Sequence, residues 1–221
     1  MVAFQTQKAG AGSPAAAKGK PPPGHRSPLR LALQLSAVAL VGSLLALLVW
    51  RLVASSRGAE LVSQIRNGQR PAAPAFALPV IWPHGETWPR SLRPALADGK
   101  VALAELHGYP VVFNIWASWC IPCKKEAPEL AASARAHAGQ VAFLGLDIQD
   151  FKSDARRFLD RYDVRYVSVR DGSGATGDAY GITGVPETYW IDARGRIVDH
   201  YPGQISRQQL EAGIRKAQAS R

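Results

Sequence analysis

The sequence predicts a mixed α/β sheet with helices on both faces, preceded by one transmembrane helix. Three observations predict it. A charge-free run of twenty residues, L-A-L-Q-L-S-A-V-A-L-V-G-S-L-L-A-L-L-V-W, extends from Leu31 to Trp50. Beyond residue 75, short apolar runs alternate with segments of helical period. The chain then closes with two strand-like segments around A-R-G and a last helical segment.

The elements follow in chain order. Residues 1 to 28 contain A-A-A and P-P-P runs and little apolar content, so they are expected to form a disordered basic tail on the cytoplasmic side. Residues 29 to 51 form the membrane span. Twenty residues at a rise of about 1.5 Å cover about 30 Å, the thickness of a hydrocarbon core. The eight Leu and three Val contribute roughly 4 kcal/mol of insertion free energy, opposed mainly by Gln34. Trp50 suits an interfacial anchor. The apolar stretch and its 30-residue leader are both longer than a signal peptide needs, so an uncleaved signal anchor is expected, with Ala54-Ser55-Ser56 keeping cleavage open. Residues 52 to 70 read as a juxtamembrane linker, with helix continuing through E-L-V-S-Q-I-R and closed by the segment Pro71 to Pro74.

Residues 71 to 221 suffice for one domain that buries about two-thirds of its surface. F-A-L-P-V-I-W (76 to 82) and V-A-L-A-E-L (101 to 106) read as short strands around a loop rich in Trp, Pro and Arg. P-V-V-F-N-I-W-A (110 to 117) and Q-V-A-F-L-G-L-D (140 to 147) are near-continuous apolar runs, suited to strands buried on both faces. Helical period covers Cys120 to His137, Asp154 to Tyr162 and Arg207 to Ala219. R-Y-V-S-V (165 to 169) reads as a strand, and E-T-Y-W-I-D (187 to 192) pairs with R-I-V-D-H-Y (196 to 201).

The net charge of +10 suggests nucleic acid until it is divided. Residues 1 to 59 carry Lys8, Lys18, Lys20, Arg26, Arg30, Arg51 and Arg57 with no acid, which is seven of the ten charges. A basic tract without interleaved aromatics, set against an apolar run, is a membrane flank, and nucleic-acid binding is excluded as a function class. Five of these cations precede the span, which places the N-terminus in the cytoplasm and the domain outside it, although Arg51, Arg57, Arg66 and Arg70 follow the span.

The chemistry centres on W-A-S-W-C-I-P-C-K-K-E (116 to 126), which holds the chain's two cysteines, Cys120 and Cys123. A structural zinc site needs four ligands, C-x-x-C supplies two, and the five histidines are scattered. Haem attachment requires His after the second Cys, where Lys124 stands. No metal and no cofactor are therefore expected. A staple closing so small a loop removes little entropy from the unfolded chain. A redox pair, cycling through a Cys120–Cys123 disulfide, fits better. An apolar strand, a sharp turn and a helix put Cys120 at a helix N-terminus, where unpaired N–H groups and the macrodipole stabilise a thiolate. Cys120 is then the attacking sulfur and Cys123, one turn on, the resolving one. Pro122 stiffens the intervening dipeptide, Trp119 covers one side of the sulfur, and Glu126 falls three residues after Cys123 on the same helix face.

W-A-S-W-C-I-P-C-K, with its preceding strand and the downstream Y-G-I-T-G-V-P-E-T-Y-W-I-D (180 to 192), resembles the thioredoxin fold. A-P-A-F-A-L-P, V-A-L-A-E-L-H-G-Y-P-V-V-F-N-I-W-A-S-W-C and the extra helix and strand at 151 to 170 narrow the resemblance to the membrane-tethered TlpA/ResA/CcmG (DsbE) family of extracytoplasmic thiol-disulfide oxidoreductases. The likeness covers about residues 71 to 218, and P-E-T-Y-W-I-D is closest to the cytochrome c maturation branch. It implies a cis peptide between Val185 and Pro186 beside the sulfurs, a helix kink at Pro128, and a proton-exchanging role for Glu126. Asn114 stands where ordinary thioredoxins carry a buried Asp, and Glu187 matches an acidic residue of the maturation branch, where a partner contact is expected.

The implied activity is reduction of disulfides in exported proteins, apocytochrome c among them, with electrons from a membrane thiol donor. The rivals are a disulfide-forming oxidase of the same fold and a tethered copper chaperone using the two thiolates. Ile-Pro between the cysteines does not fix the direction of electron flow. A peroxidase is disfavoured, since the P-x-x-x-T-x-x-C nucleophile of peroxiredoxins is replaced here by N-I-W-A-S-W before Cys120.

Overall fold

A computed structural model describes residues 28–220. The tail expected to be disordered therefore lies outside the described residues, apart from Pro28. The first helix, α1, runs Pro28–Arg66, and its segment Leu31–Trp50 has a mean hydropathy of 2.3 and no buried residue. By length and composition this segment can cross a membrane. Within the stretch expected as a linker, the helix persists to Arg66, and Leu61 and Ile65 pack into one of the domain's two cores.

The remaining elements are β1 (Ala77–Trp82), β2 (Lys100–Ala102), β3 (Val111–Trp116), α2 (Ile121–Ala136), β4 (Ala142–Ile148), α3 (Lys152–Arg161), β5 (Val167–Asp171), α4 (Ala175–Tyr180), β6 (Glu187–Ile191), β7 (Ile197–Pro202) and α5 (Arg207–Ala219). They build one seven-stranded sheet in the order β2-β1-β5-β4-β3-β6-β7. β3, β4 and β5 are mutually parallel, while β6 and β7 on one side and β1 and β2 on the other are antiparallel to their neighbours. This is the thioredoxin-like mixed sheet.

Two cores lie on the two faces of the sheet. β3 and β4 are buried along their whole length, as their unbroken apolar sequences require. Successive side chains alternate between the faces. One core gathers Trp116, Leu130, Phe158, Trp190, Leu210 and Ile214 with both cysteines under α2, α3 and α5. The other gathers Phe113, Leu144, Tyr180, Tyr189 and Trp88. Each such side chain removed from water contributes roughly 1.5–3 kcal/mol, so the central strands form a stiff platform for the loops at their ends.

Three elements differ from expectation. The strand expected over 101 to 106 stops at Ala102, because Leu103–Leu106 is a 3₁₀ turn whose Glu105 side chain accepts from the Ala102 N–H at 2.7 Å. The Trp/Pro/Arg loop contains a second 3₁₀ turn, Arg90–Leu96. The Gly-rich stretch after β5 holds α4. There the Asp171 carboxylate accepts from the N–H groups of Ser173, Gly174 and Thr176 at 3.0, 2.9 and 2.7 Å. Burial pushes the Asp171 pKa up, but these donors outweigh it and hold the carboxyl below its usual range. Gly181 ends α4 at φ 72°, and a Cβ there would lie 2.2 Å from the Gly58 carbonyl oxygen, so both glycines permit this backbone approach.

Candidate active site

The end of β3 and the start of α2 place the cysteines. Cys120 is the N-cap of α2, with extended backbone (φ −74°, ψ 115°), and its Sγ accepts from the Cys123 N–H at 3.1 Å. This is one of the helix donors that lack an intrahelical partner. The two sulfurs are joined as a disulfide, with Cα atoms 5.3 Å apart. Pro122 sits in the first turn, where its missing N–H removes no helical bond, and Pro128 lies inside the helix, where it does.

The Val185–Pro186 peptide is cis. The Val185 carbonyl oxygen lies 3.5 Å from Cys120 Sγ, within reach of a donated S–H in the reduced state. Both cysteines are buried in the oxidised pair, Cys120 at 3% and Cys123 at 1% exposure, while Trp119 and Ile121, on either side of Cys120 in the chain, are exposed. A cavity of about 210 Å³ is lined by Trp119 and Val185, both neighbours of Cys120, with Ile148, Gln149, Ile182 and Thr183 among others.

Beneath the pair, Glu126 is 1% exposed. Asn114 Nδ2 donates to Glu126 Oε1 at 2.9 Å and to Thr188 Oγ1 at 3.0 Å, and the Ile205 N–H donates to Glu126 Oε2 at 2.8 Å. Burial pushes the Glu126 carboxyl up to about 7, with the Ile205 and Asn114 donors pulling the other way. Glu126 stands three residues along the helix from Cys123. Asn114 thus has a definite place: its amide orients Glu126.

Glu187 is 2% exposed, so it faces inward and cannot make the partner contact expected of it. Its Oε1 accepts from Thr183 N–H at 2.8 Å and Gly184 N–H at 3.3 Å, and its Oε2 pairs with His200 Nε2 at 2.7 Å. Burial alone raises its pKa, but the His200 and Thr183 hydrogen bonds prevail and lower it. Glu187 therefore fixes from within the loop that carries Val185 and Pro186. Sequence reasoning missed Thr188, Ile205 and His200, together with Ser118 and Asp150, which bond each other beside Trp119. Position relative to Pro186 was the only signal pointing toward this loop.

Residues 71–200 match the AhpC/TSA family. The chain belongs to the AhpC/TSA family. The chain is 36% identical over 133 residues to the thiol:disulfide interchange protein DsbE of Pseudomonas fluorescens biotype C, covering 60% of this chain and 65% of that protein. It is 26% identical over 133 residues to the thiol-disulfide oxidoreductase ResA of Bacillus thuringiensis subsp. konkukian, covering 60% of this chain and 77% of that one. A crystal structure from Chlorobium tepidum, assigned as thiol:disulfide interchange protein DsbE, superposes with a TM-score of 0.53 at 26% identity, over 67% of this chain and 96% of that one. This AhpC/TSA chain is thus of the DsbE/ResA kind in sequence and thioredoxin-like in fold.

Proposed function

We propose that this chain is a membrane-tethered thiol-disulfide oxidoreductase of the DsbE/ResA kind. Its N-terminus is cytoplasmic and its thioredoxin-like domain extracytoplasmic. It reduces disulfides of exported proteins, haem-free c-type cytochromes among them. The observation that carries this reading is the setting of Cys120: its sulfur meets the Cys123 N–H at a helix N-terminus and lies beside the Val185 carbonyl.

In the proposed cycle, the Cys120 thiolate attacks one sulfur of a partner disulfide. A mixed disulfide forms and one partner thiolate leaves. Cys123 then loses its proton to Glu126 and attacks Cys120, the second partner thiolate leaves, and the Cys120–Cys123 disulfide remains. Two electrons have passed from the pair to the partner. A membrane thiol donor returns them, reopening the disulfide and restoring both thiols.

The test is a trap. Cys123→Ser should accumulate mixed disulfides on Cys120, and Cys120→Ser should accumulate none. Trapping by Cys120→Ser instead would reverse the assignment of the two sulfurs. Equilibration with glutathione gives the direction of flow, on a scale from about −270 mV for thioredoxin to about −120 mV for DsbA, a span of roughly 7 kcal/mol for two electrons. A value near the oxidising end would assign disulfide formation instead of reduction.

A further inference from the structure

The turn that leads into Cys120 is held by the loop after β4. The Asp150 carboxylate accepts from the Ser118 N–H at 2.6 Å through one oxygen, and from the Ser118 hydroxyl and the Phe151 N–H, each at 2.9 Å, through the other. The Trp119 indole N–H donates to the Gln149 carbonyl at 3.0 Å. Gln149 itself has φ 50°, a left-handed conformation that a non-glycine residue keeps only where its surroundings fix it. Both residues ahead of Cys120 are thereby tied to two consecutive residues of another loop.

That loop is held in turn from β5. Arg170 donates through Nη1 to Asp147 Oδ2 at 2.7 Å and through Nη2 to the Asp150 carbonyl. Asp147 and Arg170 are partners in the β4–β5 register, so the sheet itself sets this contact. Asp147 is fully buried, and its second oxygen has no protein partner. Arg170 therefore carries one end of an otherwise costly buried carboxylate and one end of the active-site loop.

We propose that Asp150 and Arg170 are positioning residues for Cys120. Asp150 holds the turn from which the sulfur projects, and Arg170, ion-paired to Asp147, holds the Asp150 backbone. The proposal deepens the thiol-exchange reading and rests on Cys120 being the attacking sulfur. The charged groups around the site include Lys124, Asp154 and Arg157, which line a cavity with Ser118, and Asp178, which lines one with Trp119, besides Glu126 on α2, Asp147 on β4, Asp150, Arg170 on β5 and Glu187 on β6. Of these, Asp150 bonds the turn directly and Arg170 bonds the loop that carries Asp150. A carboxylate beside that turn disfavours a thiolate and a guanidinium favours it, so the two residues act on Cys120 with opposite signs.

The experiment measures the rate of Cys120 alkylation by iodoacetamide against pH, on the reduced full-length chain in detergent micelles. Asp150→Asn should lower the thiol pKa by about half a unit or more, a roughly threefold gain in thiolate at a given pH, and Arg170→Gln should raise it by a similar amount. Ser118→Ala loses one hydrogen bond and no charge, and should titrate like the wild type. Arg170→Lys, which keeps the charge, should return most of the shift. A merely structural cluster would destabilise both variants and move the titration in one direction or not at all, so parallel shifts, or none, overturn the proposal. Should Arg170→Gln fail to fold, Asp150→Asn against Ser118→Ala decides it alone. If the wild type exchanges no disulfide while the titrations still diverge, the exchange reading fails and the positioning stands.

Discussion

Glu126 supplies the most quantitative prediction, because its burial couples folding to protons. In the unfolded chain it ionises near its ordinary value of 4.5, and in the folded chain only at about 7. Between those values the folded chain keeps a proton that the unfolded chain has released. Stability from this group is therefore full below pH 4.5 and is lost as pH rises through 7. The interval of about 2.5 pH units corresponds to roughly 3 kcal/mol, with a slope near pH 6 of about 1.4 kcal/mol per pH unit. Asp147 adds a second loss of the same sign, since burial, with repulsion from Asp150, pushes it up to about 7 against the pull of Arg170. Urea unfolding of the oxidised full-length chain in micelles, at several pH values from 5 to 8, should show stability falling with pH. Glu126→Gln cannot ionise and should remove about half of that slope. It also sets an amide N–H against the Ile205 N–H, so at pH 5 the variant should be less stable by about 1–2 kcal/mol, with the gap closing by pH 8. An unchanged slope in Glu126→Gln would refute both the burial argument and the assignment of Glu126 as a proton acceptor near neutral pH. In disulfide reduction at pH 7 the same variant should lose about 100-fold in rate.

Three further outcomes follow from the geometry. Gly213→Ala places a methyl group 2.2–2.3 Å from ring atoms of Trp190, and should cost roughly 1–3 kcal/mol in urea unfolding with little effect on the cysteines. Glu187→Ala strips the acceptor from Thr183, Gly184 and His200, and should cost about 1–3 kcal/mol and slow reduction of protein disulfides more than of a small disulfide such as oxidised glutathione. Because the Glu187 pKa is lowered in the fold, its stabilisation is present above 4.5 and is lost as pH falls through the folded value, so Glu187→Gln should flatten the acid limb of a stability–pH curve.

The strands and the cysteine pair were legible because each leaves a local mark. β3 and β4 are buried on both faces, so their sequences are apolar without interruption, and C-x-x-C after such a strand places the sulfurs at a helix start. What holds the site together was not legible. The partners are far apart in sequence: Glu126 meets Ile205 across 79 residues, and Ser118 meets Asp150 across 32. Glu126 itself lies in K-K-E, which reads as a solvated charge, and only the resemblance marked it before its burial did. α4 was hidden by glycines that normally signal a loop, since its order comes from the Asp171 carboxylate and not from helix propensity. The side chain of Glu187 read as partner-facing because sequence position alone does not say which face of β6 it leaves.

In the proposed cycle the two sulfurs do different work. Cys120 sits at the end of the helix with a backbone donor on its sulfur and exposed Trp119 and Ile121 as its chain neighbours, the setting on which its proposed role as the attacking sulfur rests. Both cysteines lie in the same core, with Cys123 one helical turn further in at 1% exposure, where burial disfavours a thiolate. In the proposed cycle a mixed disulfide on Cys120 persists until Cys123 is deprotonated. Glu126 is the group suited to end that wait. It lies three residues along the helix from Cys123, and burial pushes its carboxyl up to about 7, the range in which the proposed cycle has it take the thiol proton. On this reading the rate of partner release, not of attack, is the step that carries the inflection near pH 7. Single-turnover decay of a preformed mixed disulfide should therefore speed up with pH through 7 in the wild type, and rise without that inflection in Glu126→Gln.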